Sequence, residues 1–387
     1  MRVLHIVHGK VNPEGHNGIS RVVYHLHKNQ RALGIDSEIW GLVDGIHTHL
    51  SYVRDADVTV ECFPRVRLPF GKNEIITRLR AEKDKIDLVH FHMIYFFDKN
   101  IVAKALNDIG LPFVLTSHGT YTTLQAYTGK RGVVRHLYEK RFLSRAKEVH
   151  CLTREEGTGL RRYGYNGASF EVPNGLALDD LPFEADPYDA PAYQSVAKDT
   201  GPVRAVWVGV LRDDKNVRAL IEAVSLLPVP MAQRLNITMV GPDYKDNLKK
   251  YHAYCRELGV AENFDFTGPL YGSEKYDAIR AADFYVMPSH SEGMSLALLE
   301  AFASARPALL TSGCGMNYYR DRDFFVTCEP YGQDIATGLQ EMMERQADWA
   351  KMGARALQAV RDIFNWRSVA EKMGEEYKRI LEEQVKS

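Results

Sequence analysis

Hydrophobic positions along the chain follow two periods in turn. Short β-branched or aromatic runs predict strands at Arg2 to Val7, Ser37 to Leu42, Asp87 to Phe91, Pro112 to Thr116, Glu148 to Leu152 and Ser169 to Val172. Most are separated by segments of helical spacing; in the first, Ile19 to Leu33, the apolar residues Val22, Val23 and Leu26 share one face. From Pro173 to Pro202 the alternation dissolves into a stretch with five prolines and several acids, which reads as a linker. It then restarts, with strands expected at Val203 to Val208, Asn236 to Val240, Phe264 to Phe266, Asp283 to Met287, Ala308 to Leu310 and Phe324 to Thr327. Helices are expected between them, such as Asn216 to Leu227 and Tyr244 to Leu258, and the chain closes with helical patterns around Tyr331 to Arg345, Asp348 to Ile363 and Arg367 to Glu383. Strand and helix in alternation, twice, predict an α/β protein of two tandem Rossmann-like doubly wound domains whose ligand-collecting loops face a cleft.

Length agrees, since 387 residues exceed what one hydrophobic core serves. A formal net charge of -1 gives no global attraction to nucleic acid, so none is expected as a partner. Five scattered cysteines lack zinc spacing and read as reduced thiols, and no run of eighteen apolar residues occurs, which together favour a cytoplasmic protein.

One stretch departs from the pattern. In HSEGMSLALLEAFASARP, residues 290–307, Glu300 lies inside an otherwise apolar helix, where an unpaired carboxylate costs several kcal/mol, and Glu292 stands eight residues before it. The strand before this stretch ends at Ser289, a loop with Gly293 follows, and Ser295 is a good N-cap for a helix starting at Leu296. Free amides and the positive end of the helix dipole there suit a phosphate, and carboxylates on either side suit hydroxyl groups. A nucleotide sugar carries both. The plainer reading pairs Glu300 with a buried arginine and leaves Glu292 solvated.

These residues resemble the E-x7-E motif of family 4 of the sugar-nucleotide glycosyltransferases, retaining enzymes of GT-B fold, and the resemblance extends over nearly the whole chain. It implies transfer of a sugar from a UDP- or GDP-sugar to a hydroxyl of a glycan or lipid-linked acceptor, as in cell-surface polysaccharide synthesis, without a metal or other cofactor. It implies Glu292 near the donor sugar, Glu300 on the ribose hydroxyls, and Gly293, Met294, Ser295 and Leu296 around the diphosphate and sugar. Met294 and Ser295 replace the family's usual Phe and small residue. WVGVLRDDKNVRALIEA, residues 207–223, resembles the segment whose Arg and Lys neutralise the leaving diphosphate; Lys215 matches the Lys, Val210 stands where the Arg is usual, and Arg212 is either its substitute or an ordinary loop arginine. In the first half Gly18 matches a glycine that lets the chain approach the diphosphate, with Asn17 in place of its companion. His118 matches a strand-end histidine against the donor sugar, and His92 lies at the neighbouring strand end. Asn174 and Gly175 match the hinge, and Pro269, Leu270 and Tyr271 match a base-reading segment.

Domains are thus expected at 1–176, on the acceptor side, and 200–365, binding the nucleotide sugar, with a helix over about 366–387 available to pack back on the first. Asp321-Arg322-Asp323 spells a DxD but reads as a solvated loop. Residues 130–147 carry seven basic side chains against the single acid Glu139; this helix either lies on anionic lipid as a peripheral membrane contact, or is a solvated face or acceptor-phosphate site. The rival functions are a sugar-nucleotide epimerase of the same fold and a sugar-nucleotide-binding protein without catalysis.

Overall fold

The structure, a computed structural model, describes residues 1–12, 18–66, 73–92, 98–122, 129–183 and 201–386, with residues 129–135 and 385–386 described as helix backbone only. It divides into two compact units, one formed by Met1–Gly175 with Trp366–Ser387 and the other by Leu176–Asn365.

The first unit is built on eight strands: β1 (Arg2–His8), β2 (Asp36–Val43), β3 (Leu50–Val53), β4 (Thr59–Pro64), β5 (Leu88–His92), β6 (Phe113–Thr116), β7 (Glu148–Cys151) and β8 (Ser169–Glu171). They lie in the order β3-β4-β2-β1-β5-β6-β7-β8, all parallel except the edge strand β3. Strands β3 and β4 were not expected from the chain's pattern; β3 alternates between half-buried and exposed positions and carries a weak apolar signal. One face of the sheet, with Leu4, Ile6, Val89, Phe91, Phe113 and Leu115, is sealed by apolar side chains such as Ile75, Leu79, Val102 and Leu106 from the helices Glu74–Glu82 and Asp98–Asp108. The opposite face is covered by the helices Gly18–Ala32 and Trp366–Lys386, which pack on each other.

In the second unit β9 (Val203–Val208), β10 (Leu235–Val240), β11 (Phe264–Gly268), β12 (Phe284–Met287), β13 (Ala308–Thr311) and β14 (Phe325–Cys328) form a wholly parallel sheet in the order β11-β10-β9-β12-β13-β14. A parallel sheet buried on both faces needs near-continuous apolar strands, as in VRAVWV and FYVM. The order reverses at β9 and β12, where ligands collect in doubly wound sheets. At that end the loop after β9 presses against β10: a Cβ on Gly241, whose φ is +149°, would stand 1.6 Å from the Gly209 carbonyl oxygen. Only glycine permits this approach.

All five cysteines are free. Among the described residues no helix is long and apolar enough to cross a membrane.

Candidate functional site

In the second unit the chain leaves β12 at Met287 and re-enters helix at Leu296. Ser295 is extended and its hydroxyl accepts from the Leu298 amide at 3.4 Å, which caps the helix Leu296–Ala303. The intervening loop is held on both sides: the His290 amide donates to the Asp214 carbonyl at 3.1 Å, and the Glu292 amide to the Gly313 carbonyl at 2.8 Å. Gly313 has no room for a side chain, because a Cβ there would meet the His290 carbonyl oxygen at 2.2 Å. The loop of residues 289–292 is therefore packed to backbone contact on the segment after β13.

Lys215 and Glu292, 77 positions apart, meet here, with Nζ 2.6 Å from Oε1, and Ser289 donates to the same oxygen at 2.8 Å. Lys215 is delivered by a tight turn that ends at Asn216 in the left-handed region, φ 56°; the Asn216 amide nitrogen donates to the Pro288 and Pro330 carbonyls, each at 2.9 Å. The pair is only partly buried, with side chains 19% and 12% exposed, so both groups can be reached.

Glu300 is 2% exposed and its partner is Lys275, 2.7 Å away on the helix Gly272–Ala281. The carboxylate inside the apolar helix is thus ion-paired, with a lysine where the plainer sequence reading placed an arginine. The pair ties the helix that begins after Pro269, Leu270 and Tyr271 to the Ser295-capped one. Tyr271 is 55% exposed. Met294 is buried, while Gly293, Ser295 and Leu296 are half-buried at the helix start.

Arg212 faces Asp214, with bonds of 2.9 and 2.5 Å to the two carboxylate oxygens. Burial alone would raise the Asp214 carboxyl; the Arg212 bonds outweigh it and hold that pKa below the ordinary value. Arg212 therefore reaches an anion only by sharing its guanidinium with Asp214. The Asp323 carboxylate is taken by Arg345 and Arg355.

In the first unit His118 follows β6 in the left-handed region, φ 52°, a conformation rare for a non-glycine residue and one that needs support. Glu156 supplies it. This fully buried carboxylate accepts from the Ser117 hydroxyl, from the Gly119 amide at 2.6 Å and from the Leu152 amide at 2.8 Å, bracing the loop on either side of His118. Burial pushes the Glu156 carboxyl up, against the pull of those donors. His92 and His118 meet, Nδ1 to Nε2, at 3.3 Å. Burial holds both imidazoles well below their ordinary pKa, His118 at about 3, so they are neutral near pH 7.

Gly18 stands exposed at the start of its helix, and Asn17 lies outside the described residues. Of the basic stretch, Glu139 is buried in an ion pair with Lys99 at 2.6 Å and Arg145 donates to Asn100 at 2.9 Å, whereas Lys140 and Arg141 are exposed. Lys130, Arg131 and Arg135 lie outside the described side chains. Lys275, Ser289, Gly313 and Glu156 escaped sequence reasoning. Lys275, in the segment GPLYGSEKYDA, was legible as the only lysine close to the expected base-reading loop; the others act through contacts that no local pattern encodes.

Two units of this topology in tandem define the GT-B class of glycosyltransferases. Solved structures agree on the fold: the chain aligns with Anabaena Alr3699/HepE in complex with UDP over 98% of its length and 100% of that chain at TM-score 0.74 and 15% identity. It aligns with sucrose-phosphate synthase from Thermosynechococcus elongatus over 98% and 99% at TM-score 0.72 and 17% identity. Residues 16–180 match the model of Glycosyltransferase Family 4 and residues 192–359 that of Glycosyl transferases group 1. A curated relative, the D-inositol 3-phosphate glycosyltransferase of Nocardia farcinica, is 26% identical over 343 residues, 82% of this chain and 72% of its own. The chain belongs to this family and is a glycosyltransferase.

Proposed function

We propose that the enzyme transfers a sugar from a UDP- or GDP-sugar to a hydroxyl group, with retention of anomeric configuration. The observation that carries this reading is the Lys215–Glu292 pair beside the Ser295-capped helix, with Glu300 one and a half turns further along it. Amides at the helix start take the diphosphate. Glu300 accepts from the ribose hydroxyls and Glu292 from the donor sugar, and without donor each carboxylate is paired with its lysine. Lys215, freed by those hydroxyls, turns to the leaving phosphate.

In the transfer the bond between the anomeric carbon and the diphosphate oxygen breaks as negative charge grows on that oxygen. Lys215 and the helix amides stabilise the charge, the main electrostatic requirement of the step. The acceptor oxygen bonds to the anomeric carbon on the same face, and its proton passes to the departing phosphate oxygen. By the family resemblance, His118 is assigned to the donor sugar and Gly18 to the diphosphate. No metal or cofactor is assigned to this step.

The acceptor is a glycan or lipid-linked intermediate of cell-surface polysaccharide synthesis. The enzyme works in the cytoplasm and touches the membrane through residues 130–147, where Lys140, Arg141 and the 62%-exposed Leu137 offer a basic and apolar face. A small phosphorylated acceptor is the second reading, favoured by the inositol phosphate acceptor in the Nocardia relative's name.

A thermal-shift screen of UDP-, GDP- and ADP-sugars tests the donor, because a ligand at a hundred times its dissociation constant adds about 2.7 kcal/mol. Stabilisation by a UDP- or GDP-sugar that is lost in Glu300→Gln supports the reading; stabilisation by none of them sinks it.

A further inference from the structure

The face of the first sheet beneath the helices Gly18–Ala32 and Trp366–Lys386 is unusually polar for an interior. Parallel register places His5 opposite His90 and His92 opposite Thr116, with Thr116 opposite His150. All five are buried. Three of the histidines, His5, His90 and His92, have ring nitrogens within 4.8 Å of one another, close enough for a common ion. Each of those nitrogens, however, already has a hydrogen-bonding partner at 2.5–3.3 Å.

The partners orient one another. The Val172 carbonyl can only accept, so His150 Nε2, 2.7 Å away, carries a proton and His150 Nδ1 is bare. The Thr116 hydroxyl therefore donates to His150 Nδ1 at 2.7 Å and accepts from His90 Nε2 at 2.5 Å. That leaves His90 Nδ1 bare, and the Tyr377 hydroxyl donates to it at 2.5 Å. From the other side of the cluster Gln30 presents Oε1 to His5 Nε2 at 2.7 Å; a carboxamide oxygen can only accept, so His5 Nε2 carries the proton. His5 Nδ1 is thus bare and accepts from His92 Nε2 at 2.9 Å; His92 Nδ1 in turn accepts from His118 Nε2 at 3.3 Å.

We propose that Gln30, His5 and His92 are positioning residues that hold His118 in one tautomer, Nε2 protonated and Nδ1 bare, so that it accepts a hydrogen bond from a hydroxyl of the bound sugar. Burial keeps the imidazoles of His5, His92 and His118 neutral, which the relay requires, since a charged ring has no lone pair to pass on. The functional part rests on the placement of His118 at the donor sugar; the tautomer does not.

Long-range proton–nitrogen correlation NMR of the ligand-free protein with nitrogen-labelled histidines, His118 being assigned from His118→Gln, reads the tautomer directly. The expected spectrum has a single His118 form with protonated Nε2 and bare Nδ1. Gln30→Met removes the Oε1 acceptor that fixes His5 and should give mixed tautomers at His5, His92 and His118 with a several-fold fall in kcat/KM. A His118 protonated at Nδ1 or at both nitrogens in the wild type overturns the proposal without any variant. So do unchanged tautomers in Gln30→Met, or stoichiometric zinc uptake at His5, His90 and His92. If instead the tautomer is as stated but no sugar nucleotide binds, the donor reading fails and the relay stands.

Discussion

Mild acid should unfold the first unit well before the second. His5, His27, His90, His92 and His150 are all no more than 3% exposed, and burial lowers the pKa of each, to about 3 for His5 and about 4 for His27 and His150. The unfolded chain takes up a proton at each below about pH 6.5, while the folded chain resists it well below that, to about pH 3–4 at His5, His27 and His150, so stability is full above 6.5 and falls as pH falls through that window. Each site then loses about 1.4 kcal/mol per pH unit, or about 2 kcal/mol by pH 5. Five sites lose on the order of 10 kcal/mol, comparable with the whole stability of a typical domain. Glu156 works in the opposite direction, its raised pKa offsetting part of one site's loss.

The second unit contains only His252 and His290, both exposed; of its shifted carboxyls, Asp214 and Asp323 are lowered, so their contribution is lost only below about pH 4, and burial raises Asp283, which favours the folded state as pH falls. Brief proteolysis at pH 7, 6 and 5 with an acid-tolerant protease, cut sites being mapped by mass spectrometry, separates the two. Cuts at pH 5 confined to Met1–Gly175 and the C-terminal helix are the predicted result. Equal resistance of both units at pH 5, or earlier loss of the second, would refute the burial argument.

Four substitutions probe the site. Lys215→Ala should lower turnover by about 10²- to 10³-fold with little change in donor affinity, the scale of removing one group that stabilises developing charge; unchanged steady-state kcat would take Lys215 out of that role. Glu300→Gln should weaken donor binding by about 10- to 100-fold in calorimetry and leave Lys275 without its counter-ion. Combining it with Lys275→Met should restore the melting temperature but not the binding, which separates the pair's structural role from its ligand role. Gly313→Ala should destabilise the second unit by about 1–3 kcal/mol through overpacking on His290 and displace Glu292, giving a lower melting temperature and weaker donor binding together.

The doubly wound pattern was legible because parallel strands buried on both faces are short apolar runs that contrast with helical spacing; the expected strands fall within a residue or two of β1, β2 and β5 to β14. The pair β3 and β4 was not: β3 is a half-exposed edge strand, and the buried Val60, Cys62 and Phe63 of β4 are interrupted by Glu61. Glu292, Glu300 and Lys215 could be singled out from local pattern, but the Lys215–Glu292 contact bridges 77 positions and depends on the turn at Asn216. Least legible was the histidine chain. His5, His90 and His150 look like isolated polar interruptions in the apolar runs RVLHIVH, LVHFH and EVHC, and only cross-strand register and the sequence-distant Gln30 and Tyr377 make them one buried cluster.

The central claim, sugar transfer with retention, is tested most directly by following the anomeric proton by NMR while the enzyme consumes its stabilising UDP- or GDP-sugar, with and without glycan, lipid-linked and phosphorylated acceptors. The account predicts consumption that depends on an acceptor, a product with the donor's anomeric configuration, and a rate about 10²- to 10³-fold lower in Lys215→Ala. Inverted product, or conversion of the donor to an epimer without any acceptor, would contradict it.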